Sequence, residues 1–125
     1  MKQIAELSVD QEHRVVLVRL RGEIDLSNAE AVRLQIEEAV PNHAIGLIVD
    51  LSLVRYLDSS GVRLLFELAR RLERRQQRLV TVAEEDSPVY EILEMVGANE
   101  RLNVRHSLQK AEMAMYVDSV IDRQA

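Results

Sequence analysis

The sequence has no cysteine and no tryptophan, and its aromatic residues amount to one Phe and three Tyr. The absence of cysteine removes disulfide scaffolds, thiol nucleophiles, CxxC redox motifs and cysteine-ligated zinc together, so metal chemistry would have to rest on carboxylates and histidines. The shortage of aromatics leaves only Tyr56, Phe66, Tyr90 and Tyr116. These are too few for stacking platforms that hold bases or sugar rings, and the core must be aliphatic. No apolar run approaches the ~20 residues that span a bilayer, and no basic segment precedes an apolar one as in a secretory signal. The chain is therefore expected to be soluble and cytoplasmic, without membrane insertion. Sixteen basic residues against twenty-one acidic ones give a net charge of −5, which withholds the positive field that draws proteins to nucleic acid; no direct nucleic-acid contact is expected.

What remains is 125 residues, 47% hydrophobic and 30% charged, with 4 Gly and 2 Pro. That is the balance of one compact domain over residues 1–125, long enough to bury a core without a disulfide or metal. Ile4-Ala-Glu-Leu-Ser-Val9 and Arg14-Val-Val-Leu-Val-Arg-Leu20 are β-prone runs around the polar link Asp10–His13, which predicts a hairpin. Gly22-Glu23-Ile24-Asp25 closes the second strand. Ser27 with Glu30 reads as a capping box opening a helix to Val40, with Ala31, Leu34, Ile36 and Val40 on its apolar side and Pro41-Asn42 as the stop. The apolar run Ala44–Leu51 predicts a central strand. After Asp58-Ser59-Ser60-Gly61, the positions Val62, Leu65, Phe66, Leu68, Ala69 and Leu72 form the stripe of an amphipathic helix that ends among arginines. Leu79–Ala83 reads as a further strand, and Ser87-Pro88 opens a helix to Val96 with Gly97 at its C-cap. Asn103–Arg105 is a short strand candidate. A last helix from Ser107 is expected to bury Leu108, Ala111, Met115 and Val117 before a polar tail at about 119–125. The alternation of strands and helices implies an α/β class with a mixed sheet, whose antiparallel part is the opening hairpin.

The informative cluster is Asp58-Ser59-Ser60-Gly61. A helix N-terminus carries unpaired N–H groups and about half a positive charge, so an added anion is favoured there. A phosphoserine fits such a place and leaves the fold intact while changing the surface that a partner meets. The plainer alternative stays open at this level: Asp58 or Ser59 is an ordinary N-cap, and Gly61 allows a tight approach.

Arg19-Leu-Arg-Gly-Glu-Ile-Asp25, then Leu47-Ile-Val-Asp-Leu51, then Val54-Arg-Tyr-Leu-Asp-Ser-Ser-Gly61 resemble the anti-sigma factor antagonist family, whose fold is the STAS domain. The resemblance covers nearly the whole chain. Its paired signals, Gly-Glu-Ile-Asp at a strand end and Asp-Ser-Ser-Gly 33 residues on, are specific together and weak apart. It implies a mixed four- or five-stranded sheet with helices mainly on one side, and a serine switch. Ser59 is then the phosphorylated residue, Ser60 helps to cap the helix, and Asp25 flanks the switch and contributes to kinase contact. For Asp25 the residue-level alternative is a loop aspartate that assists the start of the first helix. The family pattern further implies that the unphosphorylated protein binds an anti-sigma factor that is itself a serine kinase, releasing a sigma factor, and that phosphorylation breaks the complex. A metal-dependent serine phosphatase restores the active form. ATP and Mg²⁺ belong to those partners, and the chain itself is expected to be non-enzymatic and to need no cofactor. Where apolar or small residues are common after this motif the chain has Val62-Arg63, expected with Asp25 in the partner-binding surface; Arg63 puts a cation on the first helical turn, either pairing with the phosphate or an acidic partner surface or simply solvated. The alternative function is a STAS interaction subunit of a stress-signalling scaffold or transporter complex, without a phosphoswitch.

Other constellations carry less. Arg70, Arg71, Arg74, Arg75 and Arg78 stabilise a helix C-terminus and form a solvated face, or attract an acidic partner or a phosphate. His13, His43 and His106 lack metal spacing and read as surface residues, and no Gly-x-Ser-x-Gly elbow is present. Asp50 at the end of an apolar strand resembles the phosphoacceptor of a response-regulator receiver. That reading requires an acidic pair and a lysine after particular strands, whereas the only lysines are Lys2 and Lys110. Asp50 is expected instead at a strand end, turning the chain toward Leu53. The sequence leaves the oligomeric state open.

Overall fold

Runs rich in Val and Ile, stiff at χ1 and suited to a pleated surface, form the strands together with Leu in the computed structural model, which describes the backbone of residues 5–10 and 14–124 and the side chains of residues 14–116. The elements are β1 (Ala5–Asp10), β2 (Val15–Ile24), α1 (Ala29–Ala39), β3 (Gly46–Leu57), α2 (Ser59–Arg74), β4 (Arg78–Val82), α3 (Pro88–Met95), β5 (Val104–Arg105) and α4 (Leu108–Gln124). They build a five-stranded sheet in the order β1-β2-β3-β4-β5. β1 pairs antiparallel with β2 and the other neighbours are parallel, so the sheet is mixed. The link at residues 11–13 and the first strand residue, Ile4, lie outside the described residues.

Each parallel step needs a crossover, and α1, α2 and α3 supply them on one face, packing with Val16, Val18, Leu20, Leu47, Val49 and Leu51 in the main core. The other face carries α4, whose Ala111 and Met115 cover Val15, Ile48, Val80 and Val82. Ile36, Leu64, Leu65 and Leu68 are fully buried in or near the α1–α2 layer. Each such side chain contributes about 1.5–3 kcal/mol of apolar transfer free energy before entropy is counted.

Several expectations are corrected. α1 starts two residues later than Ser27, because Asn28 is its N-cap; Ser27 does not close a capping box with Glu30 but turns its backbone N–H and hydroxyl to the Asp25 carboxylate. The buried face of α1 is Ala29, Val32 and Ile36, while Ala31 and Leu34 are exposed. The i, i+3, i+7 set wins over the mixed spacing of the expected one. In α2, Leu64 is buried, and Val62 and Phe66 are only half-buried. α4 continues through Gln124, over the stretch read as a polar tail, and the Val117 side chain lies outside those described.

The central pair of strands is longer than the apolar run indicates. β4 ends opposite Asp50, yet β2 and β3 stay paired to Ile24 and Leu57. This ribbon absorbs register shifts between Arg19 and Arg21 and between Gly22 and Glu23. Gly22, at φ +84°, takes a conformation that a Cβ would strain. Asp50 is consequently not a strand end: it is buried mid-strand, accepts from Arg19 Nε at 3.2 Å and from the Ser52 N–H at 2.9 Å, and also takes the Ser52 hydroxyl. The ribbon delivers the ends of β2 and β3 side by side at one pole of the fold.

Candidate functional site

At that pole Asp58 joins three segments. Its backbone N–H donates to the Ile24 carbonyl (3.2 Å), continuing the β2–β3 pairing by one step. One carboxylate oxygen, Oδ1, accepts from the backbone N–H groups of Ser60 (2.8 Å) and Gly61 (3.1 Å), so Asp58 is the N-cap of α2. The other, Oδ2, accepts from the Leu26 N–H (3.1 Å) and ties the β2–α1 loop to the start of α2.

That loop is itself fixed. The Asn28 side chain accepts from the Asp25 N–H (3.0 Å) and donates to the Glu23 carbonyl (2.9 Å), and the Asp25 carbonyl receives the N–H groups of Asn28 and Ala29. Hydrogen bonds from the Ser27 hydroxyl first, and then from its N–H, hold the Asp25 carboxyl below the usual carboxylate range, which keeps it ionised. Asp25 thus helps to start α1, as a loop aspartate would, and it also stands next to Leu26, the residue bonded to Asp58.

Ser59 is exposed at the first position of α2. The cap is the Asp58 carboxylate, and Ser60 takes part by donating its backbone N–H to it; Ser60 also lines a shallow groove between α1 and α2. Gly61 is required by space. A Cβ there would stand 2.9 Å from Leu57 Cδ2 and 3.1 Å from the Ile24 carbonyl oxygen, so α2 sits directly on the ends of β2 and β3. Val62 is half-buried against the main core, which limits the surface it offers a partner. Arg63 is exposed and lines the groove with Leu26, Glu30 and Glu67. Being one helical turn beyond Ser59, it shares that residue's face.

Ion pairs fasten α1 to α2 beside the groove. Arg33 meets Glu30, Glu37 (2.8 Å) and, across the helices, Glu67 (3.4 Å), while Arg71 reaches Glu37 at 3.6 Å. Hydrogen bonding to Glu30 above all raises the Arg33 pKa further and lowers that of Glu30. Such surface pairs contribute little each, about 0–1 kcal/mol, and act mainly on orientation.

Residue patterning missed the exposed apolar rim of this pole: Leu26 is 81% exposed, and Leu53 and Tyr56 are 49% exposed on the projecting ribbon. The only signal for Leu26 was a lone leucine between Asp25 and Ser27. Of the histidines, His43 is exposed and His13 lies outside the described residues. His106 is not a plain surface residue: it is half-buried, its Nδ1 lies 3.2 Å from the Ala83 carbonyl, and its ring packs edge-on against Tyr90 at 4.9 Å.

A mixed sheet with three helices on one face and a fourth on the other, with an exposed serine beginning an aspartate-capped helix, defines a small α/β domain class. A family model described as "Mlab, STAS domain" matches residues 7–110, and the chain belongs to the STAS domain family. It is 28% identical over 94 residues to an anti-sigma F factor antagonist of Paenibacillus polymyxa, covering 73% of this chain and 80% of that protein. Among solved structures, an anti-sigma factor antagonist from Mycobacterium paratuberculosis superposes with a TM-score of 0.76 at 24% identity, covering 90% of this chain and 94% of that one. The Bacillus cell fate determinant SpoIIAA in its phosphorylated form has a TM-score of 0.62 at 24% identity, covering 97% and 99%. These structural likenesses establish the fold. No helix among the described residues is long and apolar enough to cross a membrane.

Proposed function

We propose that the protein is an anti-sigma factor antagonist, a non-enzymatic regulator whose switch is Ser59. In the unphosphorylated state it binds an anti-sigma factor serine kinase and releases a sigma factor. Transfer of the γ-phosphoryl group of the partner's ATP to Ser59 Oγ, with Mg²⁺ held by the partner and ADP leaving, ends the complex. A metal-dependent serine phosphatase reverses the step. The setting is the cytoplasm, where such a switch serves a stress response.

The observation that carries this reading is the position of Ser59: exposed, directly after an aspartate that already caps the helix, and beside the exposed Leu26 that the same aspartate holds in place. The curated relative's name and the existence of a phosphorylated form of SpoIIAA support it. A dianion brought into a closed contact loses hydration and meets steric and like-charge opposition costing several kcal/mol, against about 1.4 kcal/mol per tenfold in affinity. One phosphate is enough to dissolve such a complex.

The test is intact-mass spectrometry of the protein incubated with Mg-ATP and the anti-sigma factor kinase, with peptide mapping and a Ser59→Ala control. One added phosphate, located at Ser59 and absent from the control, is expected. Ser59→Ala should bind the partner constitutively and Ser59→Glu weakly, with melting temperatures within a few degrees of wild type. No modification by a kinase active on its own substrate, or equal binding by both variants, overturns the switch and favours a non-switching interaction subunit.

A further inference from the structure

The outer face of α2 carries a line of cations that the fold itself leaves unused. At about 3.6 residues per turn, Ser59, Arg63, Arg70 and Arg74 fall within a sector of about 60°, opposite the buried Leu65, Leu68 and Leu72. All four are exposed, and the line runs roughly 22 Å, from the first residue of the helix to its last. Phe66, half-buried against the main core, flanks the line between Arg63 and Arg70.

Arg63, Arg70 and Arg74 have no ion pair or hydrogen-bonded partner among the described residues. Ordinary helix chemistry offers them partners: Glu67 is four residues after Arg63 and three before Arg70, and Glu73 is three after Arg70. Both carboxylates face elsewhere, Glu67 to Arg33 of α1 at 3.4 Å and Glu73 to Arg101 at 3.5 Å. Helix stability does not account for the line either. Arg63 stands at the positive end of the macrodipole, and Arg70 and Arg74 are like charges one turn apart, both unfavourable arrangements. Only Arg74, in the last turn, is favoured by the dipole. The chain has just two lysines, Lys2 and Lys110, so every cation of α2 is a guanidinium, whose fork takes both oxygens of a carboxylate.

We propose that this face of α2 docks an acidic surface of the anti-sigma factor kinase, which rests on the function proposed above and adds the chemistry of its partner. In a chain of net charge −5, a cationic strip that leads to Ser59 steers a negatively charged partner onto the serine, and the exposed Leu26 and half-buried Phe66 supply apolar contact beside it. Nucleic acid fits less well, because the overall charge is negative and the strip is bordered by Glu67 and Glu73. The same acidity drives release. A phosphate on Ser59 enters at the head of the line and faces the partner's carboxylates, so the charge that speeds encounter before phosphorylation opposes the complex after it.

Surface plasmon resonance of the unphosphorylated full chain with the anti-sigma factor kinase, at about 50 mM and about 300 mM salt, tests this together with the steady-state kinetics of Ser59 phosphorylation. Arg70→Glu/Arg74→Glu should lower the association rate at least about tenfold at the lower salt while changing dissociation by less than about threefold, and Arg70→Gln/Arg74→Gln should lower it about fourfold. The KM for the chain as kinase substrate should rise in proportion, with kcat almost unchanged, because the acceptor serine is untouched. The control Arg14→Glu/Lys110→Glu makes the same change of net charge at exposed sites off α2 and should associate within about twofold of wild type. The proposal is overturned if the α2 variants associate like the control, if salt leaves the wild-type rate unchanged, or if a single-stranded oligonucleotide or anionic vesicles bind the wild type and not the double glutamate variant. A wild-type chain that neither binds the kinase nor gains a phosphate at Ser59 refutes the switch function itself, and the docking face with it.

Discussion

Replacing Asp58 in two ways separates its two structural jobs. Asp58→Ala removes the acceptor for Ser60 and Gly61 and also the acceptor for Leu26. Loss of an N-cap side chain costs about 1–2 kcal/mol. The Leu26 bond is solvent-exposed, so water replaces much of it and its loss adds only about 0.5 kcal/mol. The total of about 2 kcal/mol lowers Tm by about 8 °C in a chain of this length, at about 4 °C per kcal/mol. Asp58→Asn keeps a carbonyl oxygen for the cap, at which asparagine is as good as aspartate. Its amide group cannot accept from Leu26, and the favourable charge at the helix start, about 0.3–1 kcal/mol, is gone. The asparagine variant should therefore lose about 1 kcal/mol. Thermal melts give the totals, and amide hydrogen exchange assigns them: Leu26 should exchange faster in both variants, Ser60 and Gly61 only in the alanine variant. A Leu26 amide still protected in Asp58→Asn, or two variants of equal stability, would refute the division of labour between the two carboxylate oxygens.

Three further outcomes can be checked. Gly61→Ala should cost about 1–3 kcal/mol in urea unfolding, because its Cβ meets Leu57 and the Ile24 backbone carbonyl, and a loss under about 0.5 kcal/mol would mean that α2 does not rest on the strand ends. Thr81→Val should raise stability by about 1 kcal/mol, since the Thr81 hydroxyl is buried without a partner in a strand position flanked by Val49 and Val104; a lower Tm would reveal a hydrogen bond unseen in the fold. The Asp25 carboxyl should titrate below its unperturbed value of 3.8, and Ser27→Ala should move it back up. As its folded pKa is depressed, its stabilising bonds are present above the unfolded value and are lost as pH falls through the folded one; an NMR titration at or above 3.8 in the wild type contradicts the loop geometry.

The order of elements was legible because each carries its own punctuation: the Ser87-Pro88 start and Gly97 stop of α3, and the run of apolar residues ending α2 among arginines. Two features were not, for one physical reason. The extent of β2 and β3 and the burial of Asp50 depend on strand pairing across some thirty residues, and no local pattern reports that Arg19 will meet Asp50 or that shifts in register will let the ribbon run on to Leu57. The start of α1 was hidden by a local competition instead. Ser27 and Glu30 have capping-box spacing, but the carboxylate of Asp25, two residues before, captures Ser27 first, and Asn28 takes the cap position. At the candidate site the motif Asp-Ser-Ser-Gly displayed the cap and the close approach, whereas the bond from Leu26 to Asp58, made over 32 residues, was visible only once both strand ends lay at one pole.

That bond bears on how a phosphate at Ser59 would be read. Of the backbone donors around Ser59, those of Ser60 and Gly61 are already taken by Asp58, and that of Leu26 is taken by the other oxygen of the same carboxylate, which leaves the N–H of Ser59 itself beside the new charge. A phosphoserine at the first position of α2 thus finds the helix dipole in its favour but Asp58 against it, and the cation one turn along the same helical face is the exposed Arg63. Little free energy is available inside the chain either to rearrange the loop or to melt the helix. The effect of the charge must then be felt by whatever packs over Leu26 and Ser59. On this argument Arg63→Ala leaves the phosphorylated and unphosphorylated proteins with almost the same backbone shifts, and a large change in the positions of residues 23–28 on phosphorylation would require a route of conformational coupling that the Asp58 bonds do not provide.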